Sequence, residues 1–246
     1  MKTILFTSLL ALILPEAFAK ARPMKALIVV TGHSELGSTG KKTGYYLPEV
    51  SHPFFALMDE GIEVDIASPK GGLAPMDEKS RDLTDKLNRR MVEEHGEKLA
   101  KTLKLSDVNT SKYQAIIFAG GHGTMWDFAQ TPSVRIAAEA IYENGGILAA
   151  VCHGPAALLN LKDKKGIPLV KGKRVSSFTN DEEEAAGLTK VMPFLLETEF
   201  IKLGAKFEKA ELWQKKVIVD GRLVTGQNPA SAEGVGQETA RLMKSL

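Results

Sequence analysis

Short, continuous apolar runs alternate with amphipathic stretches along the chain. Ala26-Leu27-Ile28-Val29-Val30, closed by Thr31-Gly32, is rich in β-branched residues, the pattern of a strand buried on both faces. Glu63 to Ala67, Ala115 to Ala119 and Ile147 to Val151 repeat it. Val217-Ile218-Val219 and Leu223-Val224-Thr225 flank Asp220-Gly221 and predict a hairpin. Between the earlier runs, positions 50–59, 131–142 and 155–161 carry apolar residues at helical period. Strand, helix and strand in alternation predict an α/β fold, a doubly wound and mostly parallel sheet with helices on both faces. In such a fold, ligands sit at the carboxyl ends of the strands. No repeat, low-complexity tract or proline-rich linker follows residue 23, so residues 20–246 are expected to form one domain.

Two segments depart from the alternation. Lys2 precedes an apolar run from Ile4 to Leu14, then Pro15 and Ala17-Phe18-Ala19, with small residues at the two positions a signal peptidase reads. The run is too short to span a bilayer. A signal peptide over residues 1–19 is therefore expected, with export to the periplasm or beyond and no membrane attachment after cleavage. Residues 77–106 read as a helical insertion or cap, or more plainly as a solvated helix lying on the body, with Leu83, Leu87, Met91, His95 and Leu99 recurring every four positions among many charges.

Composition narrows the chemistry. The 246 residues are 43% hydrophobic and 25% charged, an ordinary globular balance. Lys plus Arg number 32 against 30 Asp plus Glu, so a net charge of +2 provides no basic stripe, and neither nucleic acid nor an anionic membrane is an expected partner. The single cysteine, Cys152, excludes an intramolecular disulfide, a CxxC pair, an iron–sulfur cluster and a multi-cysteine zinc site.

Cys152 lies in Ala149-Ala150-Val151-Cys152-His153-Gly154-Pro155-Ala156-Ala157, where an apolar strand turns sharply into a helix in the manner of a nucleophile elbow. The positive end of that helix is expected to lower the thiol pKa below its usual ~8.5; the competing reading is a small buried hydrophobe. Among His33, His52, His95, His122 and His153, only His153 follows the cysteine. A papain-like hydrolase, or a glutaminase with a downstream His-x-Glu pair, needs a histidine well beyond its cysteine. The base is then His153, His122 or a carboxylate. Gly120-Gly121-His122-Gly123 does not form a dinucleotide cradle, because Trp126 stands where the third glycine belongs, and the Gly-Lys pairs at 40 and 172 lack Walker spacing. No cofactor is expected, and no metal, since no His/Asp/Glu cluster shows ligand spacing.

The elbow Ala150 to Pro155 and the stretch Ala119-Gly120-Gly121-His122-Gly123-Thr124-Met125-Trp126-Asp127-Phe128 resemble the PfpI superfamily, a branch of the class I glutamine amidotransferase-like fold. Thr43 to Pro53, Ala67 to Gly72 and Gly221 to Ser231 are similar to the subgroup of glutathione-independent glyoxalase III and related heat-shock holding chaperones. The resemblance implies that Glu49 sits against the thiol, where burial would raise its pKa and let it shuttle a proton. Read alone, Glu49 is a carboxylate at a helix start. Gly121 and His153 backbone N–H groups would form an oxyanion hole. The acid that orients His153 would come from Asp181-Glu182-Glu183-Glu184, which otherwise reads as an acidic helix start; register favours Glu183, with Glu182 next. His122 and Trp126 are expected to line the pocket, His52 to stand behind Glu49, and His33 and His95 to be surface or loop residues.

The activity so implied is a cofactor-independent lyase, a D-lactate dehydratase that converts the 2-oxoaldehyde methylglyoxal to D-lactate through a cysteine hemithioacetal. A homodimer and a role in aldehyde or stress response come with it. The alternatives within the same resemblance are a holding chaperone, whose cysteine is vestigial or senses oxidation and whose clients would meet the 77–106 helix, and a deglycase or peptidase with the same nucleophile.

Overall fold

The computed structural model describes residues 23–246; the expected signal segment, residues 1–19, lies outside the described residues. The strands are β1 (Lys25–Val29), β2 (Glu63–Ser68), β3 (Leu103–Lys104), β4 (Ala115–Phe118), β5 (Ile147–Val151), β6 (Arg174–Val175), β7 (Lys206–Phe207), β8 (Val217–Asp220) and β9 (Leu223–Gly226). Seven of them form one sheet in the order β3-β2-β1-β4-β5-β9-β8, and β6 pairs with β7 in a separate ribbon. Every pairing is parallel except the β8–β9 hairpin at Asp220-Gly221. The two-residue β6 lies off the main sheet.

Buried strands in a parallel sheet send alternate side chains to opposite faces. Ala26, Ile28, Ala115, Ile117, Ile147, Ala149 and Val151 join one core, and Leu27, Val29, Ile116, Phe118, Leu148 and Ala150 the other. The first core is covered by α1 (Pro48–Met58), α2 (Lys86–Ala100) and a C-terminal helix. The second is covered by α3 (Thr124–Asp127), α4 (Pro132–Glu143) and the irregular chain from residue 154 onward, which includes α5 (Asn180–Ala185) and α6 (Leu196–Lys202). The C-terminal helix, α7 (Ala232–Met243), was not anticipated. It presses so closely on α1 that a Cβ on Gly236 would stand 2.6 Å from Pro53 Cα.

One sequence expectation changes and another is sharpened. The helix expected at 155–161 is a fully buried 3₁₀ turn, Gly154–Leu158. It is pressed onto the end of β4, where a Cβ at 154 would stand 2.0 Å from the Phe118 carbonyl oxygen. The 77–106 stretch is the crossover from β2 to the edge strand β3. Its helix α2 starts at an Asp85 cap, one turn later than the four-residue pattern suggested, and buries Asn88, Met91 and Leu99 against the body.

Val29 pairs with Ala67 and Phe118, Phe118 with Ala150, and Val151 with Gly226. This register aligns the carboxyl ends of β1, β4, β5 and β9 along one edge. The chain leaves β1 for β2 on one side and returns to β4 on the other, so the edge above β1 and β4 is the switch point at which this class of sheet binds ligands.

Candidate active site

Cys152 begins where β5 ends, and its backbone is left-handed, with φ of 60°. Among the described non-glycine residues only Trp213 shares this sign, with φ of 63°. Such a conformation costs about 1–3 kcal/mol and survives only where neighbours over-determine it. Here the Cys152 N–H donates to the Gly226 carbonyl and the Phe178 N–H donates to the Cys152 carbonyl, each at 2.9 Å. Thr124 Oγ1 lies 3.0 Å from both the Gly121 and the His153 carbonyl oxygens, tying the β4 and β5 loops together.

The His153 ring turns back on its neighbour. Nδ1 lies 3.2 Å from Cys152 Sγ, and Nε2 lies 2.9 Å from Glu183 Oε2. The other Glu183 oxygen is 3.1 Å from His122 Nε2. Although burial pushes the Glu183 carboxyl up, the two imidazoles outweigh it and hold the pKa at about 2. An ionised carboxylate only accepts, so both Nε2 atoms carry hydrogen and the His153 Nδ1 lone pair faces the sulfur. Burial and the nearby His122 push the His153 pKa down against the pull of Glu183, which keeps the ring neutral and able to accept a proton.

Glu182 is buried as deeply but faces away from His153. Its Oε2 accepts from the Thr179 N–H in a capping box, and its Oε1 accepts from the Trp213 N–H, Gln227 Nε2 and Asn228 Nδ2. Of the two glutamates, the structure places Glu183 on the histidine and gives Glu182 to the fabric of the surrounding loops.

Glu49, on the first turn of α1, is wholly buried. Its Oε2 accepts from the Gly120 N–H at 2.8 Å; Oε1 is buried without a hydrogen-bond partner among the described residues, and the Cys152 thiol lies beside the carboxyl. Burial raises the Glu49 pKa to about 8, opposed by the thiol and the Gly120 N–H. Only glycine fits at 120, where a Cβ would stand 2.5 Å from Glu49 Oε2 and 2.7 Å from His153 N. Gly121, with φ of 101°, turns its N–H toward the sulfur. Among the described residues neither Gly121 nor His153 donates its N–H to a backbone carbonyl, which leaves both amides for a developing oxyanion.

The expected lowering of the thiol pKa is reversed. Burial of Cys152, then the adjacent Glu49 carboxyl, pushes it up. The five-residue 3₁₀ turn that follows replaces the helix on which that expectation rested. His153 Nδ1, 3.2 Å from Sγ, is placed to accept the thiol proton.

Cys152, His153, Gly121 and His122 open on a cavity of about 600 Å³, walled by Tyr46, Phe178 and Trp213 with Lys41, Asp77 and Lys79 also lining it. Trp126 does not line it. On the turn after His122 its ring is carried away and stacks on His33, with centroids 5.3 Å apart and planes 14° from parallel. Trp213 and Phe178, 5.7 Å apart, form the aromatic wall instead. Neither was singled out from the sequence, since nothing in their local pattern points inward. His52 does not stand behind Glu49; it meets Asp85 at the start of α2 at 2.9 Å. His95 is half-buried on Phe54 and Phe55.

An elbow cysteine, a histidine on the next residue and a buried glutamate above the first strand are the arrangement that the sequence resemblance implied. Residues 42–241 match the DJ-1/PfpI family. The chain belongs to that family. Its similarity to the glutathione-independent glyoxalase HSP31 of Saccharomyces cerevisiae is 36% identity over 238 residues, covering 91% of this chain and 99% of the yeast protein. The solved structure of glyoxalase III from Candida albicans matches with a TM-score of 0.82 at 32% identity, covering 89% of this chain and 96% of that one. The Rapid Encystment Protein 24 KDa of Francisella tularensis matches with a TM-score of 0.86 at 38% identity, over 89% and 99% of the two chains. Among the described residues of this DJ-1/PfpI chain, one group could hold a metal: ligand atoms of His122, His153 and Glu183 all lie within 4.8 Å of one another. Sequence spacing hid the cluster because its members follow three separate strands.

Proposed function

We propose that the chain is a glutathione-independent glyoxalase III-like enzyme, a D-lactate dehydratase acting on methylglyoxal. The observation that carries the reading is the Cys152–His153–Glu183 line with Glu49 beside the thiol, its Oε1 buried and without a hydrogen-bond partner among the described residues. The names of the yeast and Candida relatives support the substrate class.

In this reading Cys152 Sγ attacks the aldehyde carbon while its proton passes to His153 Nδ1. The oxyanion gathers against the Gly121 and His153 N–H groups and takes the proton of Glu49, giving a hemithioacetal. The Glu49 carboxylate then removes the hydrogen of that carbon as a proton, and His153 protonates the neighbouring ketone oxygen, forming an enediol. Glu49 returns its proton to the second carbon as His153 takes the hydroxyl proton of the first, leaving a lactoyl thioester. Water adds to the thioester, one of its protons going to Glu49, and sulfur departs with the proton held by His153. One carbon is oxidised and its neighbour reduced, so the sum is methylglyoxal plus water and needs no external electron acceptor.

The protein, assayed with methylglyoxal in the absence of glutathione, is expected to form D-lactate, and Cys152→Ala to form none. Absence of D-lactate from the wild-type protein, or equal rates in the variant, would overturn the reading. The holding-chaperone alternative keeps the resemblance but not the helix that was to meet its clients, because the apolar residues of α2 face inward. Homodimerisation is proposed on the resemblance alone and is checked by sedimentation velocity. Export is proposed on the charge and apolar pattern of residues 2–19; residues 1–25 fused to a reporter should carry it out of the cytoplasm and be cut after Ala19.

A further inference from the structure

We propose that His122, His153 and Glu183 form a binding site for a divalent transition-metal ion such as Zn²⁺, and that its occupation switches the cysteine site off. The inference stands on geometry independent of the proposed reaction. Two imidazole Nε2 atoms converge on one carboxylate, His122 at 3.1 Å from Oε1 and His153 at 2.9 Å from Oε2. These separations are close to those between neighbouring ligands of a tetrahedral ion with bonds of about 2.0–2.2 Å. The imidazole rings lie 4.1 Å apart between centroids, and one ligand atom from each of the three residues lies within 4.8 Å of the other two. His153 and Glu183 are buried, with side chains 1% and 4% exposed, while His122, at 19%, stands on the cavity wall and provides the way in. Two histidines and one carboxylate leave the fourth position open toward the cavity, where water or a substrate oxygen can complete the shell.

Binding has a defined consequence for the neighbouring thiol. A metal on the two Nε2 atoms needs the lone pairs that their N–H bonds now occupy, so in each ring that hydrogen moves to Nδ1 and both rings stay neutral. His153 Nδ1, 3.2 Å from Sγ, then donates toward sulfur instead of accepting its proton. The base that deprotonates Cys152 is lost, and Glu183 is engaged by the ion. Cys152 itself is not a ligand in this arrangement. The ion is an off-switch, which the chain's own residues close by a change of tautomer.

The test uses metal-free full-length protein titrated with Co²⁺ as a spectroscopic stand-in for Zn²⁺. Co²⁺ should bind one per chain with the intense visible bands of a tetrahedral site and without a near-ultraviolet thiolate charge-transfer band. His122→Gln should abolish those bands, and Cys152→Ala should keep them. Thermal melts confirm that both variants are folded. Zn²⁺ should inhibit methylglyoxal turnover by the wild-type protein, with EDTA restoring it, and the inhibiting concentration should rise about tenfold or more in His122→Gln. No tetrahedral spectrum, a thiolate band that disappears in Cys152→Ala, or unchanged Co²⁺ binding by His122→Gln would each overturn the proposal. Because the spectrum is read without substrate, a protein that proves inactive on methylglyoxal still decides the metal site.

Discussion

Cys152 is held in a left-handed backbone by two hydrogen bonds from neighbouring strands and loops, and its thiol is pushed up rather than down. Its chemistry therefore depends on its two acid–base neighbours. Glu49→Gln keeps the size of the side chain and removes the proton shuttle; kcat on methylglyoxal should fall by about 10²–10⁴-fold. The same variant tests the raised pKa. The groups facing Glu49 are the Cys152 thiol, the Gly120 N–H and, farther off, the Tyr46 phenol. Folding raises the Glu49 pKa from an ordinary 4.5 to about 8. Below pH 4.5 the carboxyl is protonated folded or unfolded; between there and about 8 only the folded chain keeps the proton. Wild-type stability must then fall as pH rises through that window, by at most about 1.4 kcal/mol per pH unit from this group. Denaturation of wild-type and Glu49→Gln protein across pH 4.5 to 8 should show the variant gaining relative stability with pH. A constant difference would mean that Glu49 is not shifted.

At the scale of elements, the site is a meeting of loops that follow different strands, and Glu182 is the group that holds several of them. It caps α5 and accepts hydrogen bonds from the Trp213 loop and from Gln227 and Asn228 beyond β9. Glu182→Ala leaves those buried donors unpaired and should cost about 2–5 kcal/mol of stability. It should also loosen the Trp213 wall, raising KM more than it lowers kcat, because His153 and Glu183 keep their contact. A fall in kcat with KM unchanged would place Glu182 in the chemistry instead. The acidic run 181–184 looks uniform in sequence. Its members divide because side chains on consecutive residues of a short helix point in different directions.

Across the molecule, the sheet sets the carboxyl ends of β1, β4, β5 and β9 side by side, and α1 carries Glu49 onto that edge because α7 clamps it from outside. Gly236→Ala places a Cβ within 2.6 Å of Pro53 Cα, and overpacking of this kind costs about 1–3 kcal/mol. Thermal unfolding should move down accordingly. Turnover per folded molecule should also drop, since a shift of α1 withdraws Glu49 from the thiol. Unchanged activity would show that α1 can move without the carboxyl.

Much of this architecture was legible in the chain. The buried strands are unbroken apolar runs, and their two-residue alternation between the cores follows from the pleat; the Asp220-Gly221 hairpin and the cysteine at a strand end are equally local signals. Local pattern also sufficed to place the elbow cysteine, the adjacent histidine and the acidic run. The tertiary structure decided what depends on the surroundings of a side chain. It buried the thiol and Glu49 together, so that both pKa values rise; it turned Trp126 onto His33 and put Trp213 in the pocket; and it folded the expected helix after Cys152 into a 3₁₀ turn against β4. It also brought His122, from a loop 61 residues earlier in the chain, onto the same carboxylate as His153. Desolvation and charge act through space, over a few ångströms, between residues that sequence spacing leaves far apart.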